Sequence, residues 1–289
     1  MTVIVTGASG LLGRAVVQAM AQYDEVRATV RREEAAPALR ALGAKVAVRE
    51  LAEPDDLIEI LPRVHTVVHL VGGINPPSEE ELFAANHGST LTVVRAAKEA
   101  GVRRLILIST PGASPGADHP FLRAKGLAEE AVLESGLEHA VIRTAHAYGV
   151  GGFWFTATVV AIEHGFVVGD GRQRLAPVFA DDVGAVVAAI DDRRDHMAGT
   201  WGLAGPDELT GDEFFGLVGE AEEPEHLEPP AAAARLTELL GVPVSVQAAE
   251  LLAASSVADA PDAAAAFGVR RTPLAEGLAL TAERTAKIG

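Results

Sequence analysis

TVIVTGASGLLGRAVVQAMAQ, residues 2–22, decides the fold. TVIVT (2–6) is a short β-branched run and reads as a buried strand. LLGRAVVQAMAQ (11–22) carries apolar residues at helical spacing. Between them stand Gly7, Gly10 and Gly13, spaced G-x-x-G-x-x-G. Each glycine has its own task in such a turn. Gly7 makes the sharp bend, Gly10 lets a pyrophosphate approach the backbone, and Gly13 lets the helix pack tightly on the strand. The helix start then offers unpaired N–H groups and the positive end of its dipole to phosphate.

The same alternation continues downstream. Further strand candidates are 25–31, 44–50, 65–71, 103–109 and 138–144, with helical patterns at 34–42, 55–61, 79–101 and 121–136. Near-continuous apolar strands separated by helices predict a parallel sheet covered on both faces, and right-handed crossovers make it doubly wound. Asp55 is expected to cap the helix after it, and Gly101 and Gly136 to stop theirs. Beyond residue 150 the pattern loosens. FWFTATVVAIEHG (153–165) reads as an amphipathic helix and ADDVGAVVAAI (180–190) as a helix capped by Asp181 or Asp182. TWGLAG (200–205) reads as a strand rejoining the sheet, and LTGDEFFGLVG (209–219) as a capped helix. The acidic stretch 220–230 reads as a loop or the rim of a lobe, followed by helices near 231–240, 246–255 and 273–285. The expected class is α/β: a Rossmann-type doubly wound parallel sheet over residues 1–150. A small, mostly helical substrate lobe follows over 151–289, and its elements at about 178–205 return to the core.

The second strand ends in Arg31-Arg32, with Glu33 only after both. A site for NAD(H) places an acid at this strand end for the ribose hydroxyls; arginine there meets the 2′-phosphate of NADP(H). NADP(H) is therefore the expected cofactor, in preference to NAD(H).

Composition excludes other classes. The 289 residues contain no cysteine, which removes thiol catalysis and Cys-ligated metal. A net charge of -16 opposes nucleic-acid binding. No apolar run approaches the ~20 residues of a membrane span, and the start has no basic n-region, so a cytoplasmic protein is expected. His65 and His69, four apart in a strand, stand ~13 Å from each other, too far to share a metal. Monomer and homodimer both remain open.

Several segments together resemble the short-chain dehydrogenase/reductase superfamily, closest to its atypical and extended branches, the NmrA-like NAD(P)H-binding proteins. They are TGASGLLG, His69-Leu70-Val71-Gly72-Gly73, Asn86-His87-Gly88-Ser89-Thr90, IRTAHAYG, Val178-Phe179-Ala180-Asp181-Asp182-Val183 and FGVRRTPLAEGL. The resemblance implies cofactor contacts from Gly7, Ser9, Gly10, Leu11, Leu12, Gly13, Arg31, Arg32, Leu51, Val71, Gly72, Gly73, Ser109 and Lys125. It also implies a catalytic Ser or Thr after the fifth strand, met by Ser109 or Thr110, and a Tyr-x-x-x-Lys pair. Here that pair reads Phe121-Leu122-Arg123-Ala124-Lys125. The lysine is present, but phenylalanine has no hydroxyl to donate. Replacement proton donors are Tyr148 and His146, near the sixth strand's exit, Ser109, or water. The expected activity is NADP-dependent oxidoreduction of a small carbonyl-type molecule. A non-catalytic NADP(H)-sensing regulator is the alternative, and an isomerase or epimerase on the same scaffold the second.

Overall fold

The computed structural model describes residues 1–51, 53–193, 198–219 and 223–287. In the first half, strands and helices alternate as β1 (Thr2–Thr6), α1 (Leu11–Met20), β2 (Glu25–Val30), α2 (Ala36–Ala41), β3 (Lys45–Val48), α3 (Pro54–Ile58) and β4 (Thr66–His69). They continue as α4 (Glu79–Phe83), α5 (Ser89–Glu99), β5 (Arg104–Ser109), α6 (Pro120–Leu133) and β6 (Glu138–Thr144). The second half adds β7 (Ala147–Tyr148), α7 (Phe153–Glu163), β8 (Phe166–Val168), β9 (Arg174–Leu175), β10 (Val178–Phe179), α8 (Ala180–Asp192) and β11 (Gly199–Leu203). It closes with β12 (Leu209–Thr210), α9 (Gly211–Val218), β13 (Glu225–Leu227), α10 (Pro229–Leu240), α11 (Val246–Ala253), α12 (Ala263–Phe267) and α13 (Leu274–Ala286).

The main sheet runs β11-β6-β5-β4-β1-β2-β3, and every pairing in it is parallel. Apolar residues alternate between its faces. Val3, Val5, Val68, Ile106 and Ile108 meet α1 and α8; Ile4, Val67, Leu105, Leu107 and Val141 meet α5 and α6. Both faces are dry, so the strands read as unbroken apolar runs. The chain leaves β1 toward β2 on one side and returns to β4 on the other. The carboxyl ends of β1 and β4 therefore flank the crevice where ligands of open α/β sheets bind.

The lobe has a separate core of Tyr148, Trp154, Phe166, Phe179, Phe214, Phe215 and Leu236 with smaller residues. It is tied back by β7 on β10, β9 on β12 and β8 on β13. The C-terminal segment is anchored to α8. Asp181 pairs with Arg284 through both carboxylate oxygens at 3.0 and 2.6 Å, and Asp182 accepts from the Thr272 amide at 2.7 Å and its hydroxyl at 2.8 Å.

Several local expectations are corrected. The cap of α3 is Glu53, in a reciprocal box with Asp56 and with Pro54 at the first helical position, rather than Asp55. Phe179, not an aspartate, precedes α8, and Asp181 and Asp182 occupy its first turn, where they favour the dipole. The helix expected over 79–101 is interrupted by a π turn, Ala84–Gly88. Helix α7 is apolar on all sides, because Trp154, Ala157, Ala161 and Ile162 fill the lobe core while Phe153, Phe155 and Val160 pack at its edge. Within the acidic stretch 220–230, β13 pairs with β8, and residues 220–222 lie outside the described residues, as do 194–197 within 178–205. Helix α12, which covers α8 and β11, was not foreseen. Among the described residues no helix is long and apolar enough to cross a membrane.

Candidate functional site

The glycine turn sits at the mouth of the crevice. Gly7 has φ +75°, and a Cβ there would come within 2.7 Å of the Leu70 and Val71 backbone. A Cβ on Gly13 would lie 2.4 Å from the Gly7 carbonyl oxygen, so only glycine lets α1 pack on this turn. Gly10 differs: a Cβ there would meet nothing closer than 3.6 Å. The fold itself does not require that position bare. Gly10 also caps α1 without a side chain, leaving the helix start open to an anion. Ser9 is exposed at the tip, while Leu11 and Leu12 are half-buried behind it.

Val71, Gly72 and Gly73 form the exit of β4, and Asn86 clamps them. Its Nδ2 donates to the Gly73 carbonyl at 3.0 Å and to Leu82 at 2.9 Å, and its Oδ1 accepts from the Gly73 amide at 3.3 Å. Asn86 lies in the π turn, whose extra residue aims it off the helix axis, a distortion frequent at functional sites. Below it, buried His69 joins three hydroxyls. The Thr90 hydroxyl donates to Asn86 at 3.0 Å and that of Ser89 to Ala85 at 2.6 Å. Both must therefore accept at His69 Nε2, 3.1 and 3.3 Å away, so Nε2 carries the hydrogen. Nδ1 then accepts from Thr6 Oγ1 at 2.7 Å. Burial, helped by the Lys125 cation, holds the His69 pKa down at about 3, so the ring stays neutral.

Arg31 and Arg32 follow β2 directly and are exposed, with no ion-pair partner among the described residues. Glu33, the nearest acid, is held by Arg40 at 2.8 Å. Leu51 is half-buried beside the second core face, against the cluster that contains Leu57.

At the end of β5, Lys125 is buried and donates from Nζ to the Ile108 carbonyl at 2.6 Å. Burial outweighs the opposing Glu129 carboxylate and pulls its pKa down to about 8. The neighbouring Ser109 hydroxyl is buried and has no partner among the described residues. Ser109 follows directly the residue whose carbonyl Lys125 binds, so both groups lie at the carboxyl end of β5. Phe121 does not face this pair alone; it packs with Leu82, Ala124 and Leu251, the last from α11. His146 stacks on Trp154 at 4.7 Å, its Nδ1 buried and unpartnered, and burial holds its pKa down at about 3. It is no acid near neutral pH.

Tyr148 is a correction. It is fully buried in the lobe core beside Phe179 and Phe155, and its hydroxyl lies against Gly277 of α13, where a Cβ would come within 2.0 Å of it. Burial and the carboxylates of Asp182, Asp207 and Glu276 push its pKa upward. A phenol so placed does not serve the cofactor crevice. Tyr148→Phe removes an unpartnered buried hydroxyl, so stability should stay within about 1 kcal/mol or rise, and turnover should be unchanged. Urea unfolding and initial rates check this; a large loss of turnover would restore Tyr148 as donor.

The structure thus brings together Gly7, Ser9, Gly10, Leu11, Leu12, Gly13, Val71, Gly72 and Gly73 around one crevice, with Ser109 and Lys125 at the neighbouring strand end. Sequence reasoning missed the clamping role of Asn86 and the His69–Thr6–Thr90 network. Among the described residues no group of three or more His, Asp or Glu could hold a metal ion. A dinucleotide fits the residues present: an open helix start, a position kept bare for no folding reason, and an orphan hydroxyl at the strand end that holds a buried lysine.

Comparison with known proteins agrees. The chain is 31% identical over 225 residues to a mitochondrial NADH dehydrogenase [ubiquinone] 1 alpha subcomplex subunit 9 of Arabidopsis thaliana, covering 74% of this chain and 56% of that protein. It is 29% identical over 150 residues to a ceramide reductase of Caulobacter vibrioides, covering 52% of this chain and 47% of the reductase. The chain thus spans about half the length of the curated relatives it matches. The solved triphenylmethane reductase of Citrobacter sp., complexed with NADP(H), shares the fold at TM-score 0.76 and 20% identity, covering 97% of this chain and 100% of that one. Residues 7–190 match the family described as NAD(P)H-binding, and the chain belongs to that family.

Proposed function

We propose that the chain is an NADP(H)-dependent oxidoreductase for a small carbonyl-type substrate, in which Lys125 and Ser109 do the proton work that a tyrosine does in the short-chain dehydrogenases it resembles. The observation that carries this reading is the buried Lys125, whose Nζ is held 2.6 Å from the Ile108 carbonyl, one residue before Ser109, whose buried hydroxyl has no partner among the described residues. When bound, the nicotinamide supplies or accepts a hydride. The glycine turn holds the diphosphate, and Arg31 and Arg32 meet the 2′-phosphate. Ser109 donates a hydrogen bond that orients the substrate oxygen. Lys125, with a pKa near 8, holds at neutral pH a proton that it would hand to that oxygen, and solvent would return one to Nζ. Neutral His146 lines the exit loop and contributes shape.

The names of two similar proteins, a ceramide reductase and a triphenylmethane reductase, speak for reductase chemistry. A second reading is an NADP(H) sensor without turnover, favoured by the use of Phe121 as a packing residue.

Calorimetric titration with NADPH and NADH, followed by carbonyl and quinone acceptors at the nicotinamide absorbance band, separates these readings. Turnover supports the oxidoreductase, and tight binding with no turnover supports the sensor. In the Arg31→Ala/Arg32→Ala double variant, NADPH affinity should fall about 100-fold, two charge-assisted contacts being lost, while NADH affinity should hold. Equal losses for both cofactors would remove the assignment of NADP(H).

A further inference from the structure

One cation near the glycine turn has no role in the reading above. Arg14, in the first turns of α1, donates from one guanidinium nitrogen to the Ser9 carbonyl at 2.6 Å and from the other to the Val150 carbonyl at 2.7 Å. The two acceptors belong to different segments, Ser9 to the glycine turn and Val150 to the loop joining β7 to α7. Both acceptors are neutral, and Arg14 has no ion-pair partner among the described residues, where most other arginines near an acid are paired. A full positive charge is therefore held one helical turn from the bare Gly10, with no carboxylate paired to it among the described residues.

The loop it grips is shaped for the grip. Gly149 and Gly151 hold positive φ, and a Cβ would come within 3.0 Å and 2.6 Å of the Leu11 side chain at Gly149 and Gly152, and within 3.1 Å of the Arg14 guanidinium at Gly151. The backbone of 149–152 is seated directly on the start of α1. This loop leads at once into α7, where Trp154 stacks on His146 at 4.7 Å. Contacts thus run from the glycine turn through Arg14 to the loop that leads into the lobe.

We infer that Arg14 is a positioning residue with two linked tasks: its unneutralised charge draws the diphosphate to the glycine turn, and its two carbonyl bonds couple occupancy of that turn to the position of the β7–α7 loop. The inference rests on NAD(P)H binding but not on turnover. Methionine at this position keeps much of the apolar stem and removes the charge and both bonds. Lysine keeps the charge, but one ammonium on a flexible stem does not reproduce the planar fork that spans two fixed acceptors.

The test uses the full chain and NADP⁺ as probe, with binding as the readout. In calorimetry Arg14→Met should weaken NADP⁺ binding about tenfold or more and flatten the fall of affinity between about 0.05 M and about 0.5 M salt. Arg14→Lys should recover most of the affinity and its salt dependence. Coupling is read in a Trp201→Phe background, where Trp154 alone reports. Saturating NADP⁺ should shift Trp154 emission with Arg14 present, and neither Arg14→Met nor Arg14→Lys should show the full shift. Wild-type affinity in a folded Arg14→Met variant overturns the electrostatic task, and an undiminished Trp154 shift in both variants overturns the coupling. If the unaltered chain binds no dinucleotide at all, the cofactor assignment fails first and this inference with it. Should Arg14→Met fail to fold, Arg14→Lys still decides: a loss as large as tenfold with the charge retained contradicts the electrostatic task.

Discussion

Replacing Lys125 with methionine should abolish turnover and at the same time make the protein harder to unfold at neutral pH. The loss of rate follows from the proposed proton role, and general acid catalysis is worth roughly 100- to 10,000-fold. The gain in stability follows from linkage. The folded pKa of Lys125 lies at about 8, below its ordinary value of 10.5, so between those values the folded chain binds fewer protons than the unfolded one. Stability therefore rises with pH through this window, and below it the full penalty of burying the ammonium stands. A shift of this size corresponds to about 3 kcal/mol at pH 7. Removing Nζ leaves the Ile108 carbonyl without its donor, which costs about 1 kcal/mol. The net expectation is a variant about 2 kcal/mol more stable at pH 7, with the advantage gone above about pH 10.5. Urea unfolding at pH 7 and pH 10.5 measures it. A variant less stable at pH 7, or one that keeps more than a tenth of the rate, contradicts the account of this lysine.

Gly10→Ala and Gly13→Ala should separate binding from folding within three residues of chain. The methyl group at position 10 meets nothing closer than 3.6 Å, so the chain should fold with an unchanged melting temperature. That methyl nevertheless stands where the diphosphate must approach the helix start, and NADPH affinity should fall about 100-fold or more, as lost amide contacts to a charged group add up. At position 13 the methyl would overlap the Gly7 carbonyl at 2.4 Å and the Ala8 backbone at 2.6 Å, which side-chain rotation cannot relieve. Overpacking of this kind costs about 1–3 kcal/mol or more, so Gly13→Ala should lose both stability and binding. Thermal melts with and without NADPH distinguish the two. If Gly10→Ala melts with the same NADPH-induced gain as the parent, the glycine turn is not the diphosphate site.

The sheet was legible in the sequence because each strand is both short and apolar throughout, and because the turn after β1 admits so few alternatives. Where reading failed, the cause was a partner far along the chain or a local competitor. Tyr148 lies close to the sheet in sequence, yet its hydroxyl is claimed by α13, an element with no signal linking it to that position. His69 looked like one more strand residue; only the parallel register that sets Thr6 beside it reveals a buried network. Asn86 gave no hint of its clamp, since a π turn has no composition of its own. The Ser89-Thr90 pair, whose hydroxyls bond carbonyls one turn back, was the trace it left. The cap of α3 was readable and misread: Pro54 belongs at the first helical position, which makes Glu53 the cap.

The pairing of Asp181 and Asp182 with Arg284 and Thr272 spans up to 103 residues of sequence. As the chain leaves the ribosome, α8 can settle onto the sheet well before its two acids find their partners. Until Thr272 and Arg284 emerge, a pair of carboxylates stays solvated beside the crevice and the seat of α13 against Tyr148 is empty. The nucleotide half can thus mature early, while the packing of the lobe waits for α13.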